Sequence, residues 1–270
     1  MGSAVRLAAV AGRFYPGDPK TLLRDVKSYA ATSREKISAL GCVVPHAGYM
    51  YSGHVAGAVY ARLALPRRYV ILCPNHTGAG EPLAIMSAGS WRTPLGEAKI
   101  DQELAQELMS SYRWLEEDAA AHRSEHALEV QLPFLQALEP GFSFVPIALG
   151  TANYEVLASL GQAIASVLAA QKERVLIIAS SDMNHYEPDA VTRVKDAKAI
   201  QQLLAMDARG LYEVVVTEDI SMCGFGPAVT MLSAAGQLGA KSAELVKYAT
   251  SGDISGDRSA VVGYAGVVVR

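Results

Sequence analysis

Arg174-Val-Leu-Ile-Ile-Ala-Ser-Ser-Asp-Met-Asn-His185 joins an apolar run to a reactive cluster. Val175 to Ser180 reads as a strand buried on both faces. The residues that follow, Ser181 to His185, are small or polar and include an acid and an imidazole. An open α/β sheet presents chemistry in this order, with ligands bound just beyond the carboxyl ends of its strands. The pattern occurs twice more. Gly41-Cys-Val-Val-Pro45 runs into His46-Ala-Gly-Tyr, and Tyr69-Val-Ile-Leu-Cys-Pro74 runs into Asn75-His76-Thr-Gly. Three of the six histidines therefore sit at strand ends.

The chain has 270 residues, half of them hydrophobic, which suffices for a sizeable core. No repeat, low-complexity tract or long Pro/Gly/Ser linker divides it. The expectation is an α/β fold: one domain over residues 1–270, with a mixed or mostly parallel sheet flanked by helices. The net charge is −3 and no run of lysine or arginine appears, so neither nucleic acid nor an anionic membrane surface is an expected partner. Cys42, Cys73 and Cys223 are odd in number and far apart, which suits a reducing, cytoplasmic location. No signal peptide is expected, because Leu7 to Val10 is too short an apolar run. The Met1-Gly2 start lacks the Ser or Thr that a myristoylation signal wants, position 6 being Arg6. Ile220 to Ala240 is uncharged, but its glycines and proline fit a buried helix better than a membrane span.

Taken in order, residues 5–17 form a lead-in, and Asp18 before Pro19 caps a helix to about Ala31. Arg34 to Lys36 is a charged loop. Strands are expected at 41–45, 69–74 and Leu83 to Ser87, with a helix from Gly53 to Leu63. Gly89 to Gly96 reads as a loop or hairpin, and Asp101 caps an amphipathic helix through Ser111. Ser124 opens another helix, which Pro133 bends. A strand over Phe142 to Leu149 and a helix over Asn153 to Ala170 lead to the strand at 174–180. Residues 189–209 read as helical, Leu211 to Val216 as a short helical turn, and Gly226 to Leu238 as a buried helix. Glu244 to Thr250 and Val261 to Val269 are β-rich and close the sheet.

Alone, His46 or His76 reads as readily as a hydrogen-bonded loop residue. Two histidines after successive strands read better as metal ligands, since imidazole suits iron, zinc or copper. Asp182, three residues before His185, either holds an imidazole in one tautomer or caps the following segment. A Ser-Asp-His triad is less well supported, because no Gly-x-Ser-x-Gly elbow is present. Cys223, in Ser-Met-Cys-Gly-Phe-Gly-Pro227, precedes a helix whose N-terminus is expected to lower the thiol pKa. Cys42 and Cys73 lie inside strands and read as small buried hydrophobes. Glu125 and His126 are either support for the ligands or part of a cap with Ser124. His122 is expected on a loop surface, and His54 faces the site or caps its helix. Tyr49, Tyr51, Tyr186 and Asn75 flank the site as pocket candidates.

His46-Ala-Gly-Tyr with Ser52-Gly, Pro74-Asn-His76, Ser124-Glu-His126-Ala-Leu-Glu-Val-Gln-Leu-Pro133, Ser180-Ser-Asp-Met-Asn-His185 and Cys223-Gly-x-Gly-Pro together resemble the Memo family. Ala11-Gly-Arg-Phe-Tyr15 and Thr250-Ser-Gly-Asp also fit, so the resemblance spans essentially the whole chain. The type resembled is protein B of the AmmeMemoRadiSam system. That implies a radical-SAM enzyme and an AMMECR1-like protein as partners. The family is similar to class III, LigB-like extradiol dioxygenases, which use non-heme ferrous iron held by two histidines and a glutamate. The resemblance places His46 and His76 on the histidine ligands and Cys223 where the glutamate stands. It places His185 on the acid/base histidine. The cysteine is a departure: a thiolate softens the site, suits copper or zinc as well as iron, and is itself oxidisable. Ring cleavage therefore does not carry over.

Three functions follow as expectations. The first is a metal-dependent redox enzyme with iron(II) or copper, no organic cofactor, and an unknown small-molecule substrate. The second is an adaptor that recognises a peptide or protein partner in an enzyme-like pocket. The third is a zinc hydrolase with Asp182 or His185 as base, for which no His-Glu-x-x-His signature is present.

Overall fold

The structure, a computed structural model, describes residues 4–31 and 35–270. Met1, Gly2 and Arg34 lie outside the described residues. The elements begin with β1 (Val5–Arg6), α1 (Pro19–Tyr29), β2 (Gly41–Val44), α2 (Tyr49–Arg62), β3 (Arg68–Pro74) and β4 (Leu83–Ile85). The hairpin β5 (Ser90–Thr93) and β6 (Gly96–Ile100) follows, then α3 (Gln102–Ser111), β7 (Glu116–Glu117), α4 (Ala120–Arg123) and α5 (Leu132–Leu138). β8 (Ser143–Leu149), α6 (Tyr154–Ala169), β9 (Val175–Ser180) and β10 (His185–Glu187) carry the chain into α7 (Asp189–Ala205) and α8 (Ala208–Thr217). α9 (Phe225–Gln237), β11 (Ala243–Thr250), α10 (Gly252–Ser255) and β12 (Val261–Val269) complete it.

β8, β3, β9 and β2 lie side by side and parallel, in that order. Parallel strands need crossover connections, and here helices supply them on both faces. Alternate residues of each strand therefore enter different cores. Val70, Leu72, Ile177 and Ala179 pack with α6 and α9. Tyr69, Ile71, Cys73, Leu176 and Ile178 pack with α1, α2 and α5. Every residue of β9 is buried, as its unbroken apolar run requires. β12 turns antiparallel onto β2, and β11 onto β12, which closes the sheet as expected. Cys42 and Cys73 are buried strand residues.

Four expectations are corrected. α2 starts at Tyr49, earlier than Gly53, because Gly48 ends the strand loop and the Tyr49 amide donates to the Phe14 carbonyl (2.7 Å). Ser124 opens no helix. α4 ends at Arg123, and α5 begins only at Leu132, with Pro133 in its first turn as a starter, not a bend. The reason is tertiary: Arg6 captures the carbonyls of His122 and Glu125 (2.7 Å each), and these bonds displace a helical ladder. His122 is fully buried against Trp91, not on a loop surface. Burial pushes its pKa down to about 4, so the ring is neutral. The helix expected through 209 breaks at Met206, whose φ of 55° is left-handed, and Asp207 caps α8 as a full helix.

α6 and α9 cross closely at Gly161, where an added Cβ would lie 2.5 Å from the Thr230 carbonyl oxygen and 2.7 Å from Ser233 Cβ. Alanine in a helix interior gains about 1 kcal/mol over glycine. Overpacking against backbone costs about 1–3 kcal/mol and should win. Gly161→Ala is expected to lower the urea midpoint of unfolding; an unchanged or higher midpoint would show that the crossing has slack.

Candidate metal centre

Because β2, β3 and β9 are parallel, their carboxyl ends open on one edge of the sheet. β9 lies between β2 and β3, so His46 and His76 come from strands that are not neighbours. β9 fills the gap, and Ser180 at its end and Asp182 just beyond it support His46. At this edge a pocket of about 640 Å³ is lined by His46, His76, His126, Asp182, His185 and Cys223, with Phe14 and Tyr186 among its other walls. One ligand atom each from His46, His76 and Cys223 lies within 4.8 Å of the others.

The imidazoles are held by hydrogen bonds that decide their tautomers. The Ser180 hydroxyl donates to the Ala127 carbonyl (2.6 Å) and accepts from Gln131 Nε2 (2.9 Å). Its one proton is thus committed, and His46 Nδ1 at 3.1 Å must be the donor. Gln131 is fixed in turn: its amide also donates to the Pro45 carbonyl, and its oxygen accepts from Tyr60. His46 Nε2 is left with its lone pair and lies 3.1 Å from Cys223 Sγ. Asp182 Oδ1 accepts the backbone N–H groups of His46 (2.7 Å) and Ala47 (3.3 Å). It therefore pins the His46 loop and does not orient His185.

His76 leans on Glu125, whose side chain is fully buried. One carboxylate oxygen accepts the His76 amide (2.6 Å), and the other accepts from His76 Nδ1 (2.9 Å) and the Ala127 amide (2.8 Å). Burial alone would raise the Glu125 pKa, but the bonds from His76 and Ala127 outweigh it and hold the carboxyl below its ordinary range. An ionised carboxylate only accepts, so His76 also carries its proton on Nδ1 and offers Nε2. His126 stacks on His76 with centroids 4.7 Å apart and stands edge-on to His46 at 5.4 Å. Its Nδ1 is 3.4 Å from Glu125.

His185 points Nδ1 at the Ser221 carbonyl (2.8 Å), an obligate acceptor, so its Nε2 is also unprotonated in the neutral ring. Burial lowers its pKa, as it does for His46 and His126. The Asn184 side chain accepts from the Ser221 amide and hydroxyl, which ties the His185 turn to the Cys223 loop. Cys223 stands just before α9, yet its pKa is not lowered. Burial of the sulfur and then the nearby Asp182 charge push the thiol well up, against the expected effect of the helix N-terminus. Burial also raises Asp182, to about 7.

Other candidates lie elsewhere. Tyr49 is core: its hydroxyl donates to the Val130 carbonyl (2.6 Å) and its ring packs on Phe134. Asn75 shapes the turn at 75–79, accepting from Thr77 and Gly78 and donating to Ala79, and so sets His76 without facing the pocket. Tyr51 packs beside Val55 and Tyr264. His54 does not line the pocket; the charges of Lys247 and Asp253 lie near it. Tyr186 does line the pocket, four-fifths exposed, with a left-handed φ of 61°. Phe14 and the supporting Ser180, Gln131 and Ser221 carried no assignment from the sequence. The available signal was polar residues at otherwise apolar positions, Gln131 within Leu-Glu-Val-Gln-Leu above all.

A family model described as "Memo-like protein" matches residues 6–268. A protein named as a MEMO1 family protein from Methanosarcina barkeri is 43% identical over 268 residues, 98% of this chain and 100% of that one. Another from Methanopyrus kandleri is 42% identical over 279 residues, 98% and 99% of the two chains. The crystal structure of an uncharacterized protein from Escherichia coli K12 superposes with a TM-score of 0.60. At 11% identity, covering 84% of this chain and 98% of that one, it shows a shared fold alone.

Nitrogen-15 imidazole spectra of the metal-free protein above pH 8 are expected to place His46, His76 and His185 in the Nδ1–H tautomer. An Nε2–H signature for His46 would contradict the Ser180 hydrogen-bond count.

Proposed function

The chain belongs to the Memo family, and we propose that its pocket holds a redox-active metal ion, iron(II) or copper, on His46, His76 and Cys223. In this reading the protein is a metal-dependent oxidoreductase acting on a small molecule, with His185 as the proton-transfer residue. The observation that carries it is the convergence of three donor atoms within 4.8 Å at the strand ends, where ligands of such sheets bind.

The donor set fits such an ion. Two imidazoles present Nε2, each fixed from behind by a hydrogen bond at Nδ1, as metal-binding histidines ordinarily are. A sulfur completes the set and favours iron, copper or zinc over magnesium or calcium. Bound there, iron or copper would supply one-electron chemistry and a Lewis-acidic position for an oxygen-bearing ligand.

The remaining work falls to the chain. The His185 ring is neutral near pH 7, and the Ser221 carbonyl keeps Nδ1 protonated, so Nε2 is the atom that accepts or returns a proton. Glu125 stays ionised and keeps His76 aimed. Phe14 and Tyr186 wall the pocket and give a ligand apolar faces to lie against.

Anaerobic titration with ferrous or cuprous ion is expected to give one equivalent bound by the wild type. Loss of a thiolate ligand in Cys223→Ser should weaken binding by about tenfold or more, while Glu125→Gln, which touches no metal, should weaken it by roughly 10–100-fold through His76. His185→Ala should bind as the wild type does. Circular dichroism separates these effects from misfolding, and equal affinity of wild type and Cys223→Ser would end the proposal.

The raised thiol pKa gives a second expectation. The thiol is protonated at neutral pH, so binding must expel its proton, and apparent affinity should rise about tenfold per pH unit from pH 6 to 8. Cys223→Ser should flatten that slope; an unchanged slope would mean the sulfur is not a ligand.

A further inference from the structure

A second concavity, of about 630 Å³, lies outside the site just described. The two share chain segments but no lining residue: Arg13 and Ser124 face this one, Phe14 and His126 the other. Its wall is one continuous stretch, residues 4–10, facing Met86, Ala119 and Arg123. A trough along seven consecutive residues suits an extended chain better than a compact ligand.

Two properties of the trough identify what it takes. The first is the backbone edge. β1 ends the sheet, with β5 as its one strand partner among the described residues. Arg6 is buried, whereas its neighbours Val5 and Leu7 are 36% and 62% exposed. A free edge with exposed apolar side chains is a template for strand addition. The second is charge. The lining contains three arginines and no acid, in a chain whose net charge is −3. Arg6 is neutralised by buried Glu129 at 2.6 Å. The guanidinium groups of Arg13 and Arg123 have no hydrogen-bond or ion-pair partner among the described residues. Guanidinium groups pair best with carboxylates, in bidentate geometry.

We propose that this trough docks an extended acidic segment of a partner protein, which adds as a strand beside β1 and sets carboxylates against Arg13 and Arg123. The alternating pattern of a strand lets one face of the segment cover Val5 and Leu7 while its acidic side chains reach the arginines. This docking is independent of the metal reading, since no residue of the trough belongs to that pocket.

The test uses the full chain and two fluorescein-labelled octapeptides, one alternating Glu with Val and one alternating Lys with Val, followed by fluorescence anisotropy and nitrogen-15 amide spectra. The expected result is binding of the acidic peptide alone, weakened by salt, with amide shifts in residues 4–10. Arg13→Glu combined with Arg123→Glu should weaken it roughly tenfold or more without lowering the melting temperature, since both side chains are exposed. Equal binding of both peptides, or shifts confined to His46, His76, His126 and His185, would overturn the proposal. So would full displacement by octanoate, which would assign the trough to a small amphiphilic carboxylate. Self-association of the chain that competes with the peptide would assign it to a second copy.

Discussion

The Glu125 carboxylate is buried in a segment that forms no regular helix, and the geometry of the pocket hangs on it. Taking a charge out of water costs several kcal/mol unless hydrogen bonds replace the lost solvent. Here they do, from the His76 amide, the His76 ring and the Ala127 amide. The same bonds draw the 124–128 turn against the end of β3. A second buried carboxylate, Glu129, anchors that turn on the other side. It accepts from Arg6, Tyr15 and the Ala9 and Val10 amides. Gln131 then bonds to Ser180 and so reaches His46. One short stretch, 125–131, thus orients both histidines although they arise from different strands.

The sheet supplies the rigid side of this arrangement. β9 is hydrogen-bonded on both edges, to β2 and β3, and every one of its residues is buried. Its last residues can therefore carry Ser180 and Asp182 into the pocket with little freedom. Exposed Tyr186 and half-buried Phe14, which packs on His126, stand at the walls. The division is physical: supports on strands and buried carboxylates, walls on aromatic rings. Tyr186 holds a left-handed backbone that a bulky residue adopts only when its surroundings require it. Tyr186 stands at the register shift between His185 and Glu187, which pair with β12, and the His185 amide beside it donates to the Ser221 hydroxyl (2.8 Å).

Much of this was legible in the order of residues. Buried parallel strands are unbroken apolar runs, so β2, β3, β8 and β9 stood out, and a polar residue directly after such a run must lie at the sheet edge. That logic found His46, His76, Asp182 and His185 without any side-chain detail, and a cysteine before a glycine-rich helix start found Cys223. What was hidden depended on contacts distant in sequence. Ser124 has the look of a helix cap, but Arg6, 119 residues from Glu125, bonds the carbonyl there instead. His122 is followed by Arg123, Ser124 and Glu125, which suggest a surface, and only the fold reveals Trp91 against it. The helix N-terminus after Cys223 is visible in sequence, while the burial and the neighbouring Asp182 that shift its thiol up and not down are not. Asp182 stands three residues before His185 in sequence, but in the fold it serves the His46 loop across a strand pair.

The donors at the pocket also differ in when they exist. His46 and Cys223 are 177 residues apart in the chain yet in contact in the fold. A ribosome extends the chain from its N-terminus at about 5–20 residues per second, so both histidine-bearing strands emerge many seconds before the thiol. β9, which must slot between those two strands, also comes late, and until it does the histidines have no common frame. A nascent chain that has passed only β3 thus carries both histidines without their frame, and the pocket assembles only after β9 and Cys223 have emerged. The order of the strands alone keeps the pocket incomplete until the chain has grown past Cys223.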